Sequence, residues 1–155
     1  MKQLSLKNAS TIVLNPAWIS FIWLGMTFGV SLLATPVRFS AATITRPIAL
    51  DVGRVVFAAL NKAEFVALIV LLIIVRVSGN VRKLLAVCMG LALILLIQAI
   101  WLLPELSART EHIIAGIEPA SSIAHAAYSI LELTKLFLLA WIGFKSLRIP
   151  SRTEI

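Results

Sequence analysis

Two long apolar stretches of the sequence each carry a row of polar side chains at helical spacing. At 100° per residue, Arg54, Asn61 and Glu64 lie on one face of a helix. A second helix face contains His125, Tyr128, Glu132 and Lys135. Both rows have members at the offsets i, i+7 and i+10. Carboxylate, ammonium, imidazole and phenol groups in apolar surroundings can bind a ligand, carry a proton or pair with one another.

The charged members of these rows need compensating partners. A charge at the centre of a membrane helix costs at least about 2.5 to 3.5 kcal/mol on insertion scales. If both helices cross the membrane in the same direction, Glu64 and Lys135 each lie roughly 20 Å along their helix at 1.5 Å per residue. We therefore predict a buried ion pair between Glu64 and Lys135. Glu132 is within i+3 reach of the same lysine, and Gln98 falls in the same half of the membrane.

These residues predict a polar pocket in one half of the membrane, below a mouth that contains Arg38, Arg46 and Asp51. The candidate ligand-binding residues are Arg38, Arg54, Asn61, Glu64, His125, Tyr128, Glu132 and Lys135. The charge within the spans is +1, counted from Arg54, Lys62 and Lys135 against Glu64 and Glu132, although Lys62 lies off the shared face. An anionic ligand, either a carboxylate or a lipid phosphate, would balance that charge.

Other chemistry is less well supported by the spacing. The same polar residues could simply lock a helix bundle together. A metal site is not predicted, because His112 and His125 show no HxxxH or ExxH spacing. The sequence contains no GxSxG, P-loop, GxGxxG or HExxH motif, so it identifies neither a catalytic residue nor a cofactor.

The elements that carry these residues are predicted to be transmembrane helices. Of 155 residues, 60% are hydrophobic and 14% are charged, which lies outside the usage of soluble domains. Four segments are long enough to cross about 30 Å of hydrocarbon, at about 17–35, 51–75, 84–103 and 121–144. We predict an all-α fold, a single domain over residues 1–155 that forms an integral membrane four-helix bundle.

Helix-breaking residues suggest where the spans begin and end. Pro16 suits the first turn of the first span, and Pro36 should close it. Pro104 should end the third span, while Ser121 or Ser122 should cap the fourth. Ser78-Gly79-Asn80 predicts a tight turn between the second and third spans.

The net charge of +7 reflects orientation in a membrane rather than binding to nucleic acid, because the basic residues lie at the ends of apolar segments. Eight of the fourteen basic residues fall on one side of the membrane: Lys2, Lys7, Arg76, Arg82, Lys83, Lys145, Arg148 and Arg152. The positive-inside rule places that side, with both termini, in the cytoplasm. We expect a multi-pass protein of the bacterial inner membrane. The predicted interfacial belts contain Trp18, Trp23, Trp101 and Trp141.

Several shorter features carry their own predictions. The first apolar run, of about 19 residues, exceeds the 7 to 15 of a signal peptide and is interpreted as a span. Residues 1–15 suit a segment lying on the inner leaflet. Cys88 is expected to be a small core residue. Gly25 and Gly29 form a GxxxG pair, which allows close helix contact within the bundle or with a second copy or another membrane partner.

Residues 54–64 read RVVFAALNKAE, which resembles the RVxRAxxNxxE motif of the MAPEG family. The matching positions are Arg54, Val55, Ala58, Asn61 and Glu64. Phe57 stands where that motif has a second arginine, and Gly53 stands where a glutamate precedes the motif. The resemblance implies a four-helix trimer that acts on glutathione and lipids, with the motif facing the cytosol.

A broader resemblance links most of the chain to small bacterial four-span membrane proteins. It rests on residues 23–25 (WLG), 36–39 (PVRF) and 50–54 (LDVGR) and on the row His125, Tyr128, Glu132 and Lys135. This resemblance implies no activity.

Three function classes stay open. The first is a protein that binds or transports an anionic lipid, a small molecule or a proton-coupled solute in the polar pocket, with membrane lipid as its immediate partner. The second is a structural or accessory subunit of a larger membrane complex. The third is a MAPEG-type enzyme that uses glutathione.

Overall fold

The chain folds into four long helical spans. A computed structural model describes residues 15–78 and 81–148, and this part of the chain contains no β-strand. The α-helices are α1 (Pro16–Phe28), α2 (Thr35–Phe39), α3 (Arg46–Val77), α4 (Val81–Ile97), α5 (Leu103–Ile114) and α6 (Ala124–Leu147). Two π-helical segments, Gly29–Ala34 and Gln98–Leu102, join α1 to α2 and α4 to α5. The predicted all-α fold is confirmed.

All four spans are long and apolar enough to cross a membrane. They cover Pro16–Phe39, Arg46–Val77, Arg82–Ile114 and Ala124–Leu147. Their outer surfaces expose large apolar side chains, among them Ile22, Val66, Leu93, Ile130 and Phe137. A soluble protein rarely exposes so much contiguous apolar surface, whereas lipid is a matching solvent for it. The chain is therefore a multi-pass membrane protein.

Two prolines lie within spans rather than at their ends. The first span continues past Pro36 to Phe39, and the third continues past Pro104 to Ile114. In both spans a π-helical segment ends two residues before the proline. A proline lacks the N–H of a regular helical bond and its ring clashes with the carbonyl four residues earlier. The wider π turn relieves both problems, so the helix can continue where the sequence predicted a stop.

Polar caps mark two of the span starts. The Asn15 side chain accepts a hydrogen bond from the Ala17 N–H at 2.9 Å, and Pro16 follows in the first turn. The fourth span begins after Ile123 rather than at the predicted serine cap, but Ser122 Oγ still accepts from the Ala124 N–H at 3.1 Å. The second span begins five residues before its predicted start, at Arg46, with Pro47 in its first turn.

The two ends of the bundle differ in their packing. We call them the Arg54 end, which contains the connections 40–45 and 115–123, and the Lys145 end. Toward the Lys145 end, the buried apolar core contains Leu68, Leu71, Val75, Leu84, Cys88, Leu91, Leu95, Leu139 and Ile142. Cys88 is a buried core residue, as predicted. The first and fourth spans pack closely here, since a Cβ atom on Gly143 would lie 2.7 Å from the Phe21 ring.

Two predictions about the first span need revision. Trp23 does not belong to an interfacial belt, because it is fully buried, whereas Trp18, Trp101 and Trp141 are exposed. A Cβ on Gly25 or Gly29 would meet no atom within 4 Å, so the GxxxG face is not used for close contact within the described chain. Its use toward a partner stays a prediction. The predicted inner-leaflet segment (apart from Asn15), the turn at 79–80 and the basic tail beyond Arg148 lie outside the described residues.

Candidate functional site: a buried polar cluster

Polar side chains from all four spans meet between the apolar core and the Arg54 end. We call this group the buried cluster. None of its members is more than 5% exposed. They are Trp23, Thr27, Asn61, Glu64, Gln98, Tyr128, Glu132 and Lys135. Five of these eight residues belong to the pocket predicted from the sequence.

Lys135 lies at the centre of the cluster. Its Nζ is 2.7 Å from the carboxylate of Glu64 on α3, and both side chains are completely buried. The same Nζ donates to Gln98 Oε1 at 3.1 Å and lies 3.1 Å from Glu132 Oε2. The ion pair predicted from equal depth is therefore present. Three spans contribute to this one ammonium group.

The first span completes the environment of Glu64. Trp23 Nε1 donates to Glu64 Oε1 at 3.0 Å, and Thr27 Oγ1 donates to the same oxygen at 2.8 Å. Ser20, Trp23 and Thr27 are spaced i, i+3 and i+7, so they form one buried face of the span. Trp23 and Thr27 were not among the site residues predicted from the sequence. Their spacing was the available signal, but an indole and a hydroxyl carry no charge that demands a partner.

Gln98 enters the cluster at an irregularity of the third span. It is the first residue of the π-helical segment that precedes Pro104. Single π turns inside α-helices are frequent at functional sites, because the extra residue changes the direction of the side chains that follow. Gln98 Oε1 accepts from Lys135, while Gln98 Nε2 is buried without a partner among the described residues.

Other buried polar atoms of the cluster also lack hydrogen-bond partners within residues 15–78 and 81–148. They are Asn61 Nδ2, Tyr128 Oη and both carboxylate oxygens of Glu132, of which Oε2 has only the ion-pair contact with Lys135 at 3.1 Å. Tyr128 lies one helical turn from Glu132 toward the Arg54 end, where its ring packs edge-on against Phe57 with 5.3 Å between centroids. Buried polar atoms without partners are rare in folded proteins, and they often mark a site for water, an ion or a proton.

A second group of charges lies at the Arg54 end. Arg54 Nε is 2.6 Å from Asp51 Oδ1, and Arg54 Nη1 is 2.9 Å from Glu111 Oε1 on α5. We call these three residues the outer network. Arg54 is ten residues from Glu64, which corresponds to about 15 Å along the helix. Arg38 lies beside Gly53, where a Cβ would come within 2.9 Å of the guanidinium.

The structure thus separates residues that the sequence placed in one pocket. Asn61, Glu64, Tyr128, Glu132 and Lys135 are buried together. Arg54 belongs to the outer network, and Lys62 is exposed, in agreement with its position off the shared face.

His125 is the clearest departure from the predicted pocket, because it is exposed although it lies at nearly the same angle on α6 as buried Glu132. The physical reason is depth. His125 is the second residue of α6, two turns nearer the helix end than Glu132. Helical periodicity alone does not report that difference.

No protein-family model, curated protein or solved structure matches the chain.

Proposed function

We propose that this membrane protein binds or transports a small ligand at the buried cluster. The observation that carries the proposal is Glu132, whose buried carboxylate accepts no well-aligned hydrogen bond in the described chain and shares the single cation Lys135 with Glu64. Three charged side chains within one bundle core are expensive, since each charge costs about 2.5 to 3.5 kcal/mol on insertion scales. The Glu64–Lys135 pair alone would set helix register. The third charge and the unpartnered amide and hydroxyl groups exceed that need.

The charge of the cluster favours a cationic ligand or a proton. Glu64 and Glu132 against Lys135 give a formal charge of −1 when all three groups are ionised. The anionic ligand predicted from the sequence depended on counting Arg54 and Lys62, and neither residue belongs to the buried cluster. An anionic lipid headgroup would instead have to displace Asp51 or Glu111 from Arg54 at the bundle end.

We further propose a bacterial inner-membrane location with both termini in the cytoplasm. Support comes from the basic residues near the connection between the second and third spans and near the C-terminal end, according to the positive-inside rule. This orientation places the Arg54 end outside the cytoplasm. Reporter fusions after Asn80 and at the C-terminus should read cytoplasmic, and a fusion after Glu111 should read extracytoplasmic. The opposite readings would reverse the proposed orientation.

Trp23 offers a direct test of ligand binding, because its indole N–H donates to Glu64. The chain has four tryptophans, and replacing Trp18, Trp101 and Trp141 with Phe leaves Trp23 alone as a fluorophore. This variant in detergent at alkaline pH should be titrated with sodium, potassium and tetramethylammonium chloride, with acid, and with sodium phosphate and phosphatidylglycerol. We expect a saturable change of Trp23 emission with a cation or with acid.

The matched control for this titration is Glu132→Gln in the same single-tryptophan background. It keeps the shape of the side chain and removes the charge, so the response to cation or acid should disappear. A response only to phosphate or phosphatidylglycerol would restore the anionic ligand. No saturable response to any of these probes would overturn the binding proposal.

A structural or accessory subunit is the second candidate function. It is favoured by the closed character of the cluster, in which Lys135 has three polar neighbours within 3.1 Å and no exposed surface. In this case the open Gly25 and Gly29 face would contact a partner chain. Purification in mild detergent should then yield a stoichiometric partner. Loss of that partner in Gly25→Val, with retention in Gly90→Val, would support this function.

A MAPEG-type use of glutathione is the third candidate. Arg54, Asn61 and Glu64 of the resembling motif do not share one surface here, since Arg54 is bound to Asp51 and Glu111 while Asn61 and Glu64 are buried. Retention of the protein on immobilised glutathione, and its loss in Arg54→Ala, would favour this enzyme class.

A further inference from the structure

The two carboxylates of the buried cluster have unequal partners. Glu64 accepts hydrogen bonds from Trp23 and Thr27 and pairs with Lys135, so its ionised form is well stabilised. Glu132 has weaker partners: its nearest cation is Lys135, with Nζ 3.1 Å from Oε2, and neither oxygen accepts a well-aligned hydrogen bond from the described residues. Glu132 is only 2% exposed, so bulk water at the protein surface does not solvate its carboxylate.

The negative charge around Glu132 is not fully balanced by the side chains of the helices that pack against it. Its own helix contributes Lys135 and Tyr128, and the second span contributes Glu64. The first and third spans contribute only the neutral side chains of Trp23, Thr27 and Gln98. One ammonium therefore faces two carboxylates, and a single negative charge has no counterpart. An uncompensated charge in so buried a position is strongly unfavourable.

We infer that Glu132 holds a proton, and that the ligand of the buried cluster is this exchangeable proton. The inference rests on the proposed binding function and names its ligand. Binding adds one proton to a Glu132 carboxylate oxygen, which changes the formal charge of the cluster from −1 to 0 and breaks no other bond. The proton is placed on Glu132 rather than on Glu64 because Glu64 already accepts hydrogen bonds from Lys135, Trp23 and Thr27.

A metal cation fits this position less well than a proton. Lys135 Nζ already lies 3.1 Å from Glu132 Oε2, so a metal ion on Glu132 would be next to a positive charge in surroundings of low dielectric constant. Hard cations also require several oxygen ligands, and no three His, Cys, Asp or Glu side chains come together in the part of the chain that the structure describes. A proton needs neither additional ligands nor additional space.

Infrared difference spectroscopy of the full chain in liposomes tests this inference. Wild-type protein at neutral pH should show the carbonyl band of a protonated carboxylic acid, which shifts in D2O and disappears in alkali. The band should be lost in Glu132→Gln and should return, at a shifted position, in Glu132→Asp. Glu118→Gln, which changes an exposed carboxyl group, should keep the band unchanged. Elution of each variant as a single peak in size-exclusion chromatography confirms that it is folded.

Each result of this experiment has a separate meaning. A carboxylic acid band that survives in folded Glu132→Gln would assign the proton to another residue and overturn the inference. Absence of the band in wild type, together with a Trp23 response to sodium or tetramethylammonium, would leave the binding function standing with a different cation. Absence of both signals would contradict the proton and the binding function together.

Discussion

The buried cluster and the outer network contain similar chemical groups in different surroundings. The Lys135–Glu64 pair is fully buried, whereas the side chains of Arg54 and Glu111 are 34% and 64% exposed. Their shortest separations are close, at 2.7 Å and 2.9 Å. Distance therefore does not distinguish the two pairs. The two pairs differ in their access to solvent. In the outer pair, water stabilises the charge that remains after one partner is lost. In the buried pair, nothing replaces the lost partner.

The largest expected effect is the loss of one member of the buried pair. Lys135→Ala or Glu64→Ala should each reduce the free energy of unfolding by about 3 to 5 kcal/mol, because an unpaired charge is left in the core. The double variant should recover part of that loss, which SDS titration in mixed micelles can measure. Lys62→Ala is the matched control, since Lys62 is exposed two residues from Glu64. Additive losses in the double variant would mean that the two residues do not interact.

A smaller effect is expected from removing one donor to Glu64. Thr27→Val keeps the shape of the side chain and deletes the hydroxyl that lies 2.8 Å from Glu64 Oε1. Hydrogen bonds to charged groups contribute about 1.5 to 3 kcal/mol, so the loss of stability should fall in that range. Thr134→Val is the control, because Thr134 Oγ1 donates only to the Ile130 carbonyl on its own exposed helix face. Equal effects at both positions would show that burial of the acceptor does not matter.

Tyr128→Phe tests whether an unpartnered polar atom of the cluster contributes to stability. The Tyr128 hydroxyl is buried without a partner in the described chain, while its ring packs against Phe57. Removing the hydroxyl keeps the ring contact and removes a desolvation cost, so stability should rise by about 1 kcal/mol. The same SDS titration measures this change. A clear loss of stability would mean that the hydroxyl has a partner, such as an ordered water molecule or the protonated form of Glu132.

The charged residues of the buried cluster were predicted from the sequence, whereas two of its neutral residues were not. The four spans and the Glu64–Lys135 pair follow from composition and from equal depth along two helices, because charge in lipid demands a partner. Trp23 and Thr27 make no such demand, and they were missed as partners of Glu64. Pro36 was expected to end a helix, since sequence periodicity does not report the π turn that accommodates it.

Two other properties could not be predicted from the sequence: how deep a residue lies in the bundle, and which residues of other spans lie beside it. His125 and Glu132 lie at nearly the same helical angle, yet one is exposed and the other is buried. Arg54 was expected to face a ligand, but Asp51 and Glu111 bind it instead. Glu111 lies 57 residues away on another span, and no local pattern links the two positions. Because Arg54 lies in the outer network and Lys62 is exposed, the charge predicted for the pocket changed from +1 to −1.

The smallest expected effect belongs to the outer network, and its salt dependence distinguishes it from the buried cluster. Arg54→Ala and Glu111→Ala should leave the free energy of unfolding within experimental error at physiological ionic strength, because water and salt screen exposed ion pairs. Any difference should grow in dilute buffer and vanish near 1 M salt, where the screening length is about 3 Å. The loss in Lys135→Ala should stay the same across this range, since salt does not enter the buried cluster. A salt-independent loss in Arg54→Ala that matches the loss in Lys135→Ala would show that the Arg54 end is closed to solvent in the membrane. The outer network would then act as a second structural lock rather than as a solvated rim.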